Sequence, residues 1–316
     1  MTKHTGPFKL LLGATLLLLV STWTFANNDP EVEKRKTYSK SYPISSGGEV
    51  KLTNQFGEIK INTWDKDEVK VEVTIMGKAS TEERAQEIID RIRILDGKSS
   101  GGVWFKTEME NGGSDHDSRK GNKAKGSTSM EINYQVYMPA GNDLDVSNQF
   151  GATTLPNLTG EVSIEQKFGD LTAGRLSKVK SLNVEFGSAT IESIADCKVT
   201  IKFSKAEIKN MSGVIKGNFE FCEVVKLSLT NAVTDLNINN SYSKIEVKVA
   251  DGFNGDFDIH TSFGEFSNKS GLAIKEKKDE DDDEHGPHFD KDFVGKTGSG
   301  GNKVKIKSSF GNIKFN

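Results

Sequence analysis

The chain has 316 residues, with 42 Lys and Arg against 45 Asp and Glu and a formal net charge of −3. Charge so nearly balanced excludes the strongly basic surface that nucleic acid or an anionic membrane selects. A hydrophobic share of 34% beside 28% charged residues is lean for a layered globular domain and suits a repeat fold with a thin core.

Residues 1–26 have the pattern of a secretory leader. Lys3 and Lys9 precede a short apolar run, Leu10 to Val20, and Thr24-Phe25-Ala26 sets small residues before a cut between Ala26 and Asn27. The alternative is an uncleaved membrane anchor, but the run falls short of the ~20 residues needed to span. No Cys follows the run, so a lipid anchor is not expected, and no second long apolar segment occurs. Residues 27–41 are polar and read as a linker.

Residues 42–141 read as a first coil with a cap. Val50, Leu52 and Asn54 alternate into Phe56-Gly57, then Ile59 and Ile61, with Trp64 beyond. A strand is expected over Val69–Ile75. From Ser80 to Leu95, Ser80 and Glu83 make a capping box, and Ala85, Ile88, Ile89, Ile92 and Leu95 share one face. That pattern predicts an amphipathic helix covering the open end of the coil stack. Strands are expected again at Val103–Thr107 and Met130–Met138. The segment Met109–Ser129 between them has little apolar content and reads as a loop.

From residue 142 a ladder dominates. Aromatic residues recur at Phe150, Phe168, Phe186, Phe203, Phe221, Tyr242 and Phe263, in steps of 18, 18, 17, 18, 21 and 21 residues. A fixed period near twenty marks stacked units. Positions six, four and two before the aromatic alternate inward, as in Leu144, Val146, Asn148 and in Val162, Ile164, Gln166. Positions three and five after it continue the pattern (Leu171, Ala173), and position eight is apolar again (Leu158, Leu176, Ile194, Met211, Leu229). The unit is strand, corner, strand, corner, third wall. Eighteen residues at ~3.3 Å each give a perimeter of about 60 Å, and coils would stack about 4.8 Å apart. Parity counting places the aromatics inward, so one buried column of rings is expected, with Phe186→Ala costing roughly 3–5 kcal/mol.

The slot after the aromatic holds Gly151, Gly169, Gly187 and Gly264, or the small Ser204, Cys222 and Ser243. Smallness there implies a close backbone approach rather than a need for positive φ. The position before the aromatic reads Lys167, Glu185, Lys202, Glu220, an outward column of alternating sign. Cys197 points inward and Cys222 lies in the corner slot, so the two are out of column and read as free buried thiols.

Residues 275–301 interrupt the ladder with a charged insertion. Asp279 to Glu284 puts six acids in a row, read as a surface loop over 276–288. His285 and His288 beside them are weak candidate metal ligands, in loose spacing without a calcium-repeat glycine framework. The pattern resumes at Val304, Ile306, Ser308, Phe310-Gly311 and Ile313. Thr154, Thr172 and Thr190 form a narrow outward column explained by β-propensity. Asp170, Glu185, Glu207, Glu223 and Glu246 scatter among lysines, with Arg175 the only Arg of the ladder, so no paired-carboxylate site is expected. No nucleotide loop, catalytic triad signature or zinc spacing is present, and no catalytic residue or cofactor is assigned.

The leader pattern, the unit Asn54-Gln55-Phe56-Gly57-Glu58-Ile59-Lys60-Ile61 with Trp64-Asp65, the helix, the ladder and the closing Ser308-Ser309-Phe310-Gly311-Asn312-Ile313 resemble the bacterial "putative adhesin" family. The resemblance implies an exported β-solenoid acting in adhesion at the cell envelope, and it implies no catalytic residues. The expected fold is all-β: a single-stranded parallel β-solenoid, right-handed by preference, with 18–21-residue coils over 142–316 and one N-terminal capping α-helix. The expected function is non-enzymatic adhesion or ligand binding by an exported protein, in the periplasm, on the outer surface or secreted. The sequence specifies no partner; envelope polysaccharide or a surface protein are the candidates, nucleic acid is not expected, and no transmembrane segment is expected after the cut. The alternatives are a carbohydrate-active enzyme, either lyase or hydrolase, and a periplasmic accessory or sensing protein with a protein partner.

Overall fold

The computed structural model describes residues 31–110, 128–277 and 289–316. The leader with its cut at Ala26 and Asn27, most of the 109–129 segment, the acidic run and the candidate ligands His285 and His288 lie outside the described residues. What is described is all-β, with one short helix and one long, mostly parallel sheet of many strands.

The first part contains β1 (Val32–Pro43), β2 (Glu49–Gln55), β3 (Ile59–Thr63), β4 (Glu68–Ala79), α1 (Glu82–Asp90), β5 (Ile92–Ser99), β6 (Gly102–Met109) and β7 (Ser129–Met138). The expected linker over 27–41 is corrected here, because β1 pairs antiparallel with β4 along twelve residues. Its Lys34, Lys36 and Lys40 hid it from a hydropathy reading, and lysines on a strand at a sheet margin discourage further pairing. β2 and β3 stand where the first repeat unit is expected and pair in parallel with β8 (Asp143–Gln149) and β9 (Thr153–Leu155). β6 lies parallel on β2 and β7 parallel on β3, so returning strands cover the side away from the ladder.

The helix is shorter than expected and is capped differently. Its N-cap is Thr81, which accepts from the Arg84 amide, not Ser80, and Ile92–Leu95 belong to β5. β-branched Ile92 and Ile94 alternate there against β6, and strand pairing wins over the weak helical period. The helix lays Ala85 and Ile89 on β4 at Gly77, where a methyl group would sit 2.9 Å from the Ala85 carbonyl oxygen. Covering the free edges of β2 and β3 therefore falls to β6 and β7, with α1 packed on the flank. Thr81→Ala is expected to cost about 1 kcal/mol. Urea melts check this, and an unchanged midpoint would show that packing alone holds the helix.

The ladder follows as β8 (Asp143–Gln149), β9 (Thr153–Leu155), β10 (Leu158–Lys167), β11 (Asp170–Glu185), β12 (Ser188–Lys202), β13 (Lys205–Glu220), β14 (Val224–Ser241) and β15 (Lys244–Val249). Neighbours pair in parallel with a one-unit offset: Val162 opposes Leu144, Leu171 opposes Ala189, and Ala189 opposes Ala206. The inward positions are buried as alternation requires, and Leu158, Leu176, Ile194, Met211 and Leu229 make the third buried column. β2 pairs directly with β8 at an offset of 94 residues, so the segment between β3 and β8 is spliced out of the ladder.

The far part contains β16 (Gly255–Ser262), β17 (Phe266–Asn268), β18 (Ile274–Glu276), β19 (Asp290–Lys296), β20 (Asn302–Ser309) and β21 (Asn312–Phe315). Here spatial order departs from chain order. β20 inserts between β14 and β16, parallel to both, and β21 inserts between β15 and β17. Charge explains the choice. Lys303 stands between Asp235 and Asp256, and the Lys305 ammonium meets Asp258 at 2.9 Å. The 275–301 insertion is not all loop either, since β19 pairs antiparallel with both β16 and β18.

Candidate functional site

Each rung of the ladder is built by its corner. Two residues before the aromatic, a buried polar side chain often replaces the aliphatic one and ties the corner backbone. Asn148 donates to the carbonyls of Gly57 and Ala152 at 3.1 and 3.0 Å, Gln166 to Gly151 at 2.6 Å, and Asn240 to Ser243 at 3.0 Å. The aromatic itself then takes a left-handed backbone, with φ between 50° and 63° at Phe56, Phe150, Phe168, Phe186, Phe203, Phe221, Tyr242, Phe263 and Phe310. Its amide donates to the carbonyl just before the next aromatic, as from Phe168 to Glu185 at 3.0 Å and from Phe186 to Lys202 at 3.2 Å. After it the chain passes so close to its neighbour that a methyl group on Gly151, Gly169 or Gly187 would lie 1.9–2.0 Å from the adjoining corner's carbonyl oxygen. The small-residue slot thus reflects close approach, and the positive φ belongs to the aromatic.

That conformation turns the ring outward and corrects the expected burial. Parity counting assumes continuous strand, and a left-handed corner reverses the side. From Phe150 to Phe310 the rings are 45–53% exposed, while Phe56 is half-buried. They do form a single column. Successive rings lie 4.8–5.1 Å apart and within 7° of parallel, in the order Phe56, Phe150, Phe168, Phe186, Phe203, Phe221, Tyr242, Phe310, Phe263. Phe289, at the start of the β19 segment, adds a tenth ring at 4.7 Å from Phe263. The result is an apolar ridge about 44 Å long and one ring wide, since each step spans one strand spacing. Half-exposed rings contribute less to stability than core rings, so Phe186→Ala is expected to cost about 1–2 kcal/mol, mostly stacking and partial burial. A denaturation shift near 4 kcal/mol would show that the ring acts as core.

No family model matches the chain, and no curated protein matches it. Among solved structures it is similar to a Bacteroides fragilis protein named a "putative adhesin", at 13% identity and TM-score 0.45, covering 89% of this chain and 97% of that one. It is also similar to a Parabacteroides distasonis protein named a "putative lipid binding protein", at 11% identity and TM-score 0.36, covering 89% and 96%. A Clostridium sporogenes protein named a "putative cell adhesion protein" aligns at 11% identity and TM-score 0.26, covering 89% and 99%. Likeness at this level carries neither fold nor function to this chain.

The ridge has charged and polar flanks. Lys167, Glu185, Lys202 and Glu220 are cross-strand neighbours on one side, with the Lys202 ammonium 3.0 Å from Glu220. On the other side Glu223 meets Lys205 at 2.9 Å, and Asp170 accepts from the Ser188 hydroxyl at 2.6 Å. Glu246 is held by Lys244 at 2.6 Å. Glu220, Glu223, Glu246 and Asp170 are each engaged with a lysine or a hydroxyl, and these scattered carboxylates are not brought together. Among the described residues no group of three or more His, Cys, Asp and Glu could hold a metal ion. Cys197 and Cys222 are both free and buried, and burial pushes the Cys197 thiol up to about 12, far from thiolate chemistry.

The sequence did not point to a cluster at the far end. His260 Nδ1 lies 2.8 Å from Asp292, and His260 Nε2 lies 3.4 Å from the Ser262 hydroxyl. That hydroxyl donates to Asp290 instead of His260. The four residues are directly opposed pairs on the antiparallel β16 and β19, which is an ordinary way to satisfy a polar sheet face. The outward aromatics had one legible signal that parity overrode. Asn54, Asn148, Gln166, Asn240 and Ser308 put polar groups at an inward position, and each donates there to a corner carbonyl.

Proposed function

We propose that this protein is an exported, non-enzymatic binding protein of the cell envelope, built as a β-solenoid, and that it acts in adhesion through the aromatic ridge. The observation that carries the reading is nine bulky residues held in the left-handed region, eight of them with half-exposed rings in solvent. Each such backbone costs roughly 1–2 kcal/mol for an L-residue, and glycine would make the same corner without that cost. A chain that keeps an aromatic there at every turn maintains an exposed apolar row, and contiguous exposed apolar surface marks an interaction site.

The one-unit parallel offset, repeated along the ladder, supports the coil architecture. The basic, apolar and small-residue pattern of residues 1–26 supports export. Asp170, Glu223 and Glu246 are engaged separately, which supports binding over hydrolysis.

The test is adsorption of the protein to immobilised envelope polysaccharide and to envelope surface protein, with Phe168→Ser, Phe186→Ser and Phe203→Ser combined as the variant. Retention that falls at least tenfold in the folded variant is expected. Equal retention, or turnover of any polysaccharide offered, would overturn the reading.

A further inference from the structure

A row of rings with the period of a β-sheet is matched in spacing by another such row. Nine of the ten rings are 45–53% exposed. At half of ~200 Å² each, they present about 900 Å² of aromatic surface. This exceeds the largest apolar patch of an ordinary monomer and is about what one partner contributes to a standard interface. The stacking leaves ring edges outward and ring faces against each other, at 4.7–5.1 Å. A sugar ring lying flat on an aromatic needs a free face. Two edge rows of one period instead pack dry against each other, as paired sheets with identical side chains do.

The flank fixes the direction. Along one side of the ridge the residues run Gln55, Gln149, Lys167, Glu185, Lys202, Glu220, Ser241, Ser309 in spatial order. This series is complementary to its own reverse. When a second ridge is turned end for end about the midpoint between Glu185 and Lys202, Lys167 faces Glu220 and Glu185 faces Lys202, each twice. Gln149 faces Ser241, and Gln55 faces Ser309. Eight rungs overlap, from Phe56 to Phe310; seven of the nine exposed rings, about 700 Å² per copy, lie in the overlap, and Phe263 and Phe289 lie beyond it. A two-fold axis makes such a contact closed and self-complementary.

Resting on the reading of the ridge as the binding face, we propose that its partner is a second copy of this chain, packed antiparallel ridge to ridge. Opposed copies on two surfaces would adhere by the same contact. The charged flank sets register and orientation, and the rings supply the buried area.

Sedimentation velocity on the protein at tens of micromolar is expected to show a dimer. Phe186→Ser with Phe203→Ser, at the centre, is expected to weaken it about 30-fold or more. Two flank variants test the direction. Glu185→Lys with Glu220→Lys makes one flank all basic, and Lys167→Glu with Lys202→Glu makes it all acidic. Each alone is expected to be monomeric with unchanged circular dichroism, and an equimolar mixture is expected to form the heterodimer. A monomeric parent protein, a dimer that survives loss of the two rings, or flank variants that each still dimerise would overturn the proposal. A monomeric parent whose ring variant nonetheless loses adsorption to envelope material would leave the binding reading standing and remove only the homotypic partner.

Discussion

Truncation after Gly301 is expected to unfold the far end of the sheet while the near end stands. The removed strands bury Val304, Ile306, Ser308, Ile313 and Phe315 and fill the space between β14–β15 and β16–β17. Four apolar side chains at about 1.5–3 kcal/mol each amount to roughly 6–12 kcal/mol. That rivals the 5–15 kcal/mol total stability of an ordinary domain. The loss also leaves four strand edges without partners. In a stack where each unit touches only its neighbours, the damage stays local. Deuterium uptake should rise across residues 224–277 and remain low across 143–202. Uniform loss would mean that the units are not independent, and retained protection of β14 and β16 would mean that the inserted strand is dispensable.

Gly169→Ala is expected to cost about 3 kcal/mol, the upper range for forcing one methyl into a filled site. The added carbon would sit 2.0 Å from the Gly151 carbonyl oxygen, and the obstruction is backbone, which cannot rotate away. Ser204 occupies the same slot two units on and is buried there. Its hydroxyl accepts from the Gly187 amide at 3.1 Å and donates to the Lys202 carbonyl at 2.7 Å. Ser204→Ala should therefore lose two hydrogen bonds and no packing, about 1–2 kcal/mol in all. Urea unfolding of the pair tests the contrast. A neutral Gly169→Ala would remove close approach as the reason for the glycine.

Much of the strand content was legible because alternation is a local property. Val69–Ile75, Val103–Thr107 and Met130–Met138 all fall inside observed strands. The third column from Leu158 to Leu229 followed from the period alone. Three features were not legible, each for a physical reason. β1 is charged because it lies at a margin, so hydropathy hid it. The left-handed corner reverses side-chain direction, so counting by twos put the rings inside. The insertion of β20 between β14 and β16 depends on Lys303 and Lys305 finding Asp256 and Asp258, a pairing that chain order does not encode. At the candidate site, the sequence supplied the aromatic residues and their column, and the backbone supplied their exposure.

The steps between rings differ in residue count but not in length. Phe186 to Phe203 takes 17 residues and Phe221 to Tyr242 takes 21, yet both ring spacings are 4.8 Å. Irregularities between paired strands fall well away from the rings, as at Val179 to Leu182, Ala195 to Cys197 and Met211 to Gly213. The molecule is therefore a ruler with one graduated edge and one slack edge. Insertions and deletions can accumulate along the slack edge without moving a mark. The graduated edge lengthens only by whole units, so the reach of the ridge is a counted quantity.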